Sequence, residues 1–162
     1  MSKIATSEIN WRTIGVKRER SHEGLINRLS IRSKGVFSLL KDLMVFAAMV
    51  GYSNGRKRKL SGDTVDIILD TYSSDQKDGF IYLIAMLETE EGSCLKDENL
   101  GESVVYFEEY CNEGLYQISE WLDDNVGDPD GVETLLNQIY KKLGESKPSS
   151  VIDNSSIELE FE

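Results

Sequence analysis

A mainly α-helical domain of about five helices, with room for one short β element, is the architecture that three features predict. Apolar residues recur at steps of three and four in successive segments. One of those segments, 37–55, is apolar nearly all round, as a central helix would be. The chain has 162 residues, 40% of them hydrophobic and 29% charged, with only two prolines. A chain of this length buries roughly two thirds of its unfolded surface, so it folds on an ordinary core without a metal or disulfide staple.

Residues 1–14 lack periodicity and read as an N-terminal arm, followed by one helical domain over 15–144 and an acidic, Ser-rich tail over 145–162. The first helix follows Ser21, a potential N-cap, and carries Leu25, Ile26 and Leu29, with Gly35 as its stop and Gly24 as a weak point. In FSLLKDLMVFAAMVGYSNG only Lys41 and Asp42 make a polar spot. Ser38 is placed to cap this helix, and Asn54-Gly55 ends it with residues that tolerate positive φ. VDIILDTY fits either a short strand or one or two helical turns.

Ser74 or Asp75 opens a third helix through DGFIYLIAMLETE, nearly all apolar from Phe80 to Leu87. EEGSCLKDENLGES reads as a polar loop. The clearest amphipathic helix follows, with Val104, Phe107, Cys111, Leu115, Ile118 and Leu122 on one stripe. DDNVGDPDG does not fit a calcium loop: with Gly131 at the sixth position, the first would be Val126 and the twelfth Asn137. Asp128-Pro129 reads instead as an N-cap and first-turn pair, and Asp130 to Glu133 has capping-box spacing. The last helix carries Val132, Leu135, Leu136, Ile139, Tyr140 and Leu143 and stops at Gly144. In the tail, expected to be mobile from its composition, IELEF alternates like a strand that could add to a partner's sheet edge.

Composition excludes several chemistries. Cys94, Cys111 and the single His22 cannot assemble a four-ligand zinc site, and two cysteines are few for a secreted disulfide framework, so free thiols in a reducing cytoplasm are expected. One histidine beside a basic arm makes a Ser or Cys triad a poor fit. SNGRKRKLSG has neither Walker spacing nor GxGxxG. Catalytic residues, metals and cofactors are therefore not expected. The N-terminus lacks the apolar region of a secretory signal, and the longest greasy run, Leu43 to Tyr52, is half a membrane span. A cytoplasmic protein without a membrane contact is expected.

Charge is unevenly placed. Residues 1–60 hold 13 Lys or Arg against 4 Asp or Glu, whereas residues 61–162 hold 5 against 25, within a net charge of −11. Two basic clusters stand out: Lys17, Arg18 and Arg20, then Arg56, Lys57, Arg58 and Lys59. At physiological salt, charges more than about 8 Å apart are largely screened, so a basic face binds anions even on an acidic protein. These seven residues are the expected DNA or anion contacts. Arg would grip phosphate in bidentate fashion and Lys as a point charge. The alternative is that the basic segment lies against the acidic one, within the fold or in a homo-oligomer.

Three stretches carry a resemblance: VKRERSHEGLINRLSIRSKGVF, KDLMVFAAMVGYSNGRKRKL and YFEEYCNEGLYQISEWL. They resemble the bacterial family called DNA phosphorothioation-associated protein 4, or Dnd system-associated protein 4. That family's pattern has a basic segment before a His-Glu helix start, a KDLLVFAAALGY-like buried helix followed by Gly-Arg and more basic residues, and an FEEYAN-GL-like helix. The likeness spans about 16–60 and 104–122, and is most specific in DLMVFAAMVGYSNGR. Cys111 stands at the pattern's Ala, as a small core position allows.

The resemblance implies a genomic setting, beside enzymes that replace a non-bridging phosphate oxygen of DNA by sulfur and beside restriction partners that attack unmodified DNA. It implies an accessory part in antiphage defence and brings no catalytic residues. The expected protein is thus a non-enzymatic adaptor whose basic N-terminal part meets DNA or an acidic partner, with other proteins of that system, and in one version duplex DNA, as partners. Two rival expectations stand beside it. One is a DNA mimic or inhibitor acting through the acidic C-terminal part; the other is a metal-dependent nuclease-like component using Asp63, Asp66 and Asp70.

Overall fold

A computed structural model describes residues 10–30 and 35–145. Residues 1–9 of the expected arm and the tail beyond 145, with its strand-like IELEF, lie outside the described residues. The chain forms β1 (Gly15–Glu19), α1 (Glu23–Leu29), α2 (Leu40–Ser53), β2 (Thr64–Ile68), α3 (Leu69–Ser73), α4 (Asp78–Thr89), α5 (Leu100–Asp123) and α6 (Val132–Glu145), with short 3-10 turns between. The fold is mainly α, as the periodicity predicts.

Helix α5 is the axis of the molecule. Its stripe of Val104, Phe107, Cys111, Leu115, Ile118 and Leu122 is buried against Leu43, Met44, Ala47 and Ala48 of α2. The two helices cross closely because glycines face backbone at the contact. A Cβ on Gly114 would stand 1.8 Å from Ala47 O, and one on Gly51 would stand 2.2 Å from Tyr110 O. Helix α4 packs Ile81, Ile84 and Ala85 inward. Although the run Phe80 to Leu87 is nearly all apolar, its Phe80, Leu83, Met86 and Leu87 stay partly exposed.

The ambiguous run 65–72 turns out to be both alternatives in succession: β2 passes directly into α3. β2 pairs antiparallel with β1, with Lys17 opposite Asp66 and Glu19 opposite Thr64. This two-stranded sheet places β1 against α5.

Several helix boundaries differ from expectation. α1 ends at Leu29, six residues before Gly35, because the chain folds back there: Phe37 N–H donates to Leu29 O at 2.9 Å and Gly35 N–H to Ser30 O at 3.0 Å. A Cβ on Gly35 would overlap the Leu29 carbonyl, so this glycine serves the return and not the stop. Leu39, with no side-chain cap, precedes α2 in place of Ser38. Asn54 and Gly55, at φ +62°, end it as predicted. The expected polar spot is partly internal. Lys41 is buried and its Nζ reaches Thr71 O at 2.9 Å, Ser74 Oγ at 2.9 Å and Asp75 Oδ1 at 2.8 Å, tying α2 to α3.

Gln76, at φ +65°, keeps α4 from starting until Asp78. The expected polar loop 90–103 holds two 3-10 turns and ends at Asn99, because α5 begins at Leu100, four residues before its apolar stripe. Helix α6 begins at Val132, after Pro129 and Asp130, and runs through Gly144 to Glu145. Asp128 still caps it, from further out than a standard N-cap, by accepting Thr134 N–H at 2.7 Å. Among the described residues no helix is long and apolar enough to cross a membrane.

Candidate anion-binding face

Beside its apolar stripe, α5 carries a second row that is buried but polar: Glu108, Asn112, Glu113 and Gln117. The i, i+4 spacing of Glu108 with Asn112 and of Glu113 with Gln117 stacks them on one side of the helix. β1 and the loop that follows α2 lie over this row and supply its partners, as buried polar groups require.

Asn112 is the hub. Its Nδ2 donates to Glu19 Oε1 at 3.0 Å and lies 3.4 and 3.3 Å from the Arg58 and Lys59 carbonyls, while its Oδ1 meets His22 Nε2 at 2.8 Å. An amide oxygen only accepts, so His22 donates from Nε2. Burial lowers the His22 pKa, with the Arg18 and Arg58 charges adding to that, against the Asn112 bond and the Glu19 charge. The ring is therefore neutral near pH 7, set edge-on to Tyr116 at 4.7 Å. Glu19 also accepts Ser61 N–H at 2.7 Å, Ser21 Oγ at 3.0 Å and Tyr116 OH at 3.2 Å. Burial pushes its carboxyl upward, but the bonds from Ser61, Asn112, Ser21 and Tyr116 outweigh that and hold it below its ordinary value.

Glu113 takes two arginines. Arg58 Nε donates to Oε2 at 2.9 Å, and Arg56 Nε lies 3.5 Å from Oε1. Burial opposes the ionised carboxylate, yet bonds from Arg58 and Gln117 with both arginine charges lower its pKa, and Arg58 is raised in turn. The Arg58 guanidinium also lies 4.1 Å over the Tyr116 ring. The outer sides of these arginines stay open, with 68% of the Arg56 and 45% of the Arg58 side chain exposed.

The seven cations expected from sequence are thus sorted by the fold. Arg20 and Arg58 meet at Tyr116: Arg20, Ser61 and Tyr116 line one shallow cleft of about 490 Å³, and Arg58 covers the Tyr116 ring, while Arg56 is joined to Arg58 through Glu113. Lys59 is exposed on the same loop. Lys57 turns the other way, to Glu88 of α4 and over Tyr106 and Tyr110 at 5.4 and 5.8 Å. Lys17 is exposed on β1, where its N–H donates to Glu108 Oε1 at 2.6 Å. Arg18 is withdrawn from the surface: 6% exposed, its Nη2 pairs with Glu23 at 2.8 Å and its Nη1 meets Glu19 O at 3.4 Å.

Sequence reasoning missed Glu19, Asn112, Glu113 and Tyr116. One signal was present: Gly114 stands inside the helical pattern between the core residues Cys111 and Leu115, and a glycine kept in a helix interior points to a packing reason. The carboxylates of the nuclease alternative do not converge. Asp70 pairs with Arg12 at 3.5 Å, Asp66 faces Lys17 across the sheet, and among the described residues no three His, Cys, Asp or Glu side chains are grouped to hold a metal.

No curated protein and no solved structure matched the chain. A family model described as DNA sulphur modification system-associated protein 4 matches residues 15–154, which takes in every strand and helix above and the segment between α2 and α5. The chain belongs to that family, whose description associates it with a DNA sulphur modification system.

Proposed function

We propose that the chain is a non-catalytic accessory protein of the sulphur modification system, which meets a polyanion, DNA or the acidic face of another protein of the system, through Arg20, Arg56, Arg58 and Lys59. One observation carries this reading. A single buried carboxylate, Glu113, anchors two arginines from beneath while both keep an open outer side. Glu113 alone does not neutralise both guanidinium groups, though Glu120 also bears on Arg58 and Glu19 and Asp63 lie beside Arg20, and anchoring lowers the entropy lost when phosphate oxygens dock. The groups that could act as nucleophile or base support the same reading. His22 is held by Asn112. Cys111 lies 3.6 Å from Met44 Sδ, and burial pushes its thiol up, away from the reactive thiolate.

The test is duplex binding by fluorescence anisotropy at several salt concentrations, for the native chain and for Arg56→Ala with Arg58→Ala. Direct phosphate contact gives a slope of log affinity on log salt that becomes shallower by about 0.9 for each contact removed. Binding insensitive to both salt and substitution would overturn the DNA arm. Loss of co-purification with the system's other proteins in the same double variant supports the partner arm.

A further inference from the structure

Beside Arg56, residues toward the ends of α2, α5 and α6 line an open cleft of about 410 Å³, within the range of small-ligand sites. Arg56, Lys141 and Lys142 bring three positive charges to it, and Trp121 lines it with an indole. The floor is a hydrogen-bonded chain. Lys142 Nζ donates to Asn54 Oδ1 at 2.6 Å, Asn54 Nδ2 donates to Gln117 Oε1, and Gln117 Nε2 donates to Glu113 Oε1 at 3.1 Å. The same carboxylate holds Arg56. The chain thereby fixes Lys142 of α6 and Arg56 of the basic loop across α2 and α5, so the positions of two cleft cations are set before any ligand arrives.

One carboxylate, Glu120, also lines the cleft. Set against three cations, Glu120 and the Glu113 that holds Arg56 leave about one positive charge, so a phosphate monoester, about −1.5 to −2 at neutral pH, meets a net attraction. An indole wall adds a surface for a flat ring, because every nucleobase has a π-face that stacks on an aromatic side chain. A sugar phosphate or inorganic phosphate would leave that wall without a counterpart, and an acidic peptide would supply carboxylates but no flat heterocycle.

We propose that this cleft binds a nucleotide unit, with the phosphate among Arg56, Lys141 and Lys142 and the base on Trp121. The unit comes either as a free nucleoside monophosphate or as the 5′-phosphorylated end of a DNA strand. This deepens the polyanion reading above and rests on it, since Arg56 belongs to both sites.

The experiment uses the full chain carrying Trp11→Phe, so that Trp121 is the remaining indole of the two. Adenosine 5′-monophosphate should quench its fluorescence saturably, whereas ribose 5-phosphate should compete only at much higher concentration. Lys141→Ala, a change at an exposed position, should weaken the nucleotide about tenfold. Isothermal titration of the native chain with the same nucleotide reads the binding without the tryptophan substitution. A 5′-phosphorylated oligonucleotide binding more tightly than both the monophosphate and its 5′-hydroxyl counterpart assigns the site to strand ends. Equal affinity for the monophosphate and the phosphorylated oligonucleotide assigns it to free nucleotides. Competition by ribose 5-phosphate as strong as by the nucleotide overturns the proposal, as does occupancy by polyglutamate alone or an unaltered affinity in Lys141→Ala. Salt-dependent duplex binding without any nucleotide binding would remove this inference and leave the accessory reading standing. Loss of both would remove the two together.

Discussion

Replacing Gly114 by alanine sets two effects of opposite sign against each other. Alanine is the better helix former by about 1 kcal/mol, which favours the variant in the middle of α5. Its Cβ, however, would stand 1.8 Å from Ala47 O, 2.5 Å from Ala47 C and 3.0 Å from Ala47 Cα. All three are backbone atoms, so no side chain can swing aside. Ordinary contact begins near 3.4 Å, and α2 and α5 must therefore part by about 1.6 Å. That opening runs through the central core, past Leu43, Met44, Phe107, Cys111 and Leu115. Overpacking a core costs about 1–3 kcal/mol and occasionally more, and backbone against backbone lies at the severe end. The net expectation is a loss of about 2 kcal/mol or more, read as a lower midpoint in urea at unchanged slope. Gly101→Ala is the internal control, since it lies in the first turn of the same helix with nothing within 4 Å and should be neutral or slightly stabilising. A Gly114→Ala chain as stable as the native one would refute the close crossing.

Further expectations concern the polar row. Glu113→Gln removes the charge beneath Arg56 and Arg58 but keeps the shape; stability should fall by about 1–2 kcal/mol, and duplex affinity should change with it, as two-temperature denaturation and anisotropy would show. Glu108 is pushed up to about 7, first by burial and then by Glu109 and Asp66, against the Lys17 N–H and charge. Because its folded pKa exceeds the unfolded value, the folded state holds the extra proton, and stability falls as pH rises from about 4.5 through 7. Glu108→Gln should flatten that fall, with its largest gain, up to roughly 3 kcal/mol, above pH 7. Glu19, Glu88 and Glu113 are all lowered, so their contribution is present above the usual carboxylate range and is lost as pH falls through their folded values. The stability optimum should therefore lie near pH 5–6, which thermal unfolding across pH would locate. For His22, lowered by burial, nitrogen shifts should report a neutral ring protonated at Nε2 at pH 6.5; a charged ring there would contradict the lowering by burial, since its bond to Asn112 is open to both forms.

The helical frame was legible because most core contacts are local in period: the stripes of α2 and α5 mark their inward faces directly. The run 65–72 resisted assignment for a physical reason. β2 and α3 join without an intervening turn residue, so neither period lasts long enough to declare itself. Helix starts were less readable, because α2 and α4 begin without a side-chain cap and α1 stops where a distant strand-like bridge, Ser30 to Phe37, draws the chain away. The basic clusters could be seen in the sequence, but which cations point inward could not. That depended on Glu19, Asn112 and Glu113, residues 90 or so positions apart in places, meeting beneath the loop. Arg18 shows the limit well, since its neighbours Lys17 and Arg20 remain outside while it is enclosed.

Glu113 has two guanidinium partners where one would neutralise it, and they arrive from alternate positions of the same loop. Such an arrangement has a spare: either arginine can drift away, to a ligand or through substitution, and the carboxylate is still answered. Single alanine replacements of Arg56 and Arg58 should therefore be mild, and the pair together costlier than their sum, because only then is an enclosed negative charge stranded. The loop can in this way exchange an internal contact for an external one without loosening the helix that holds it.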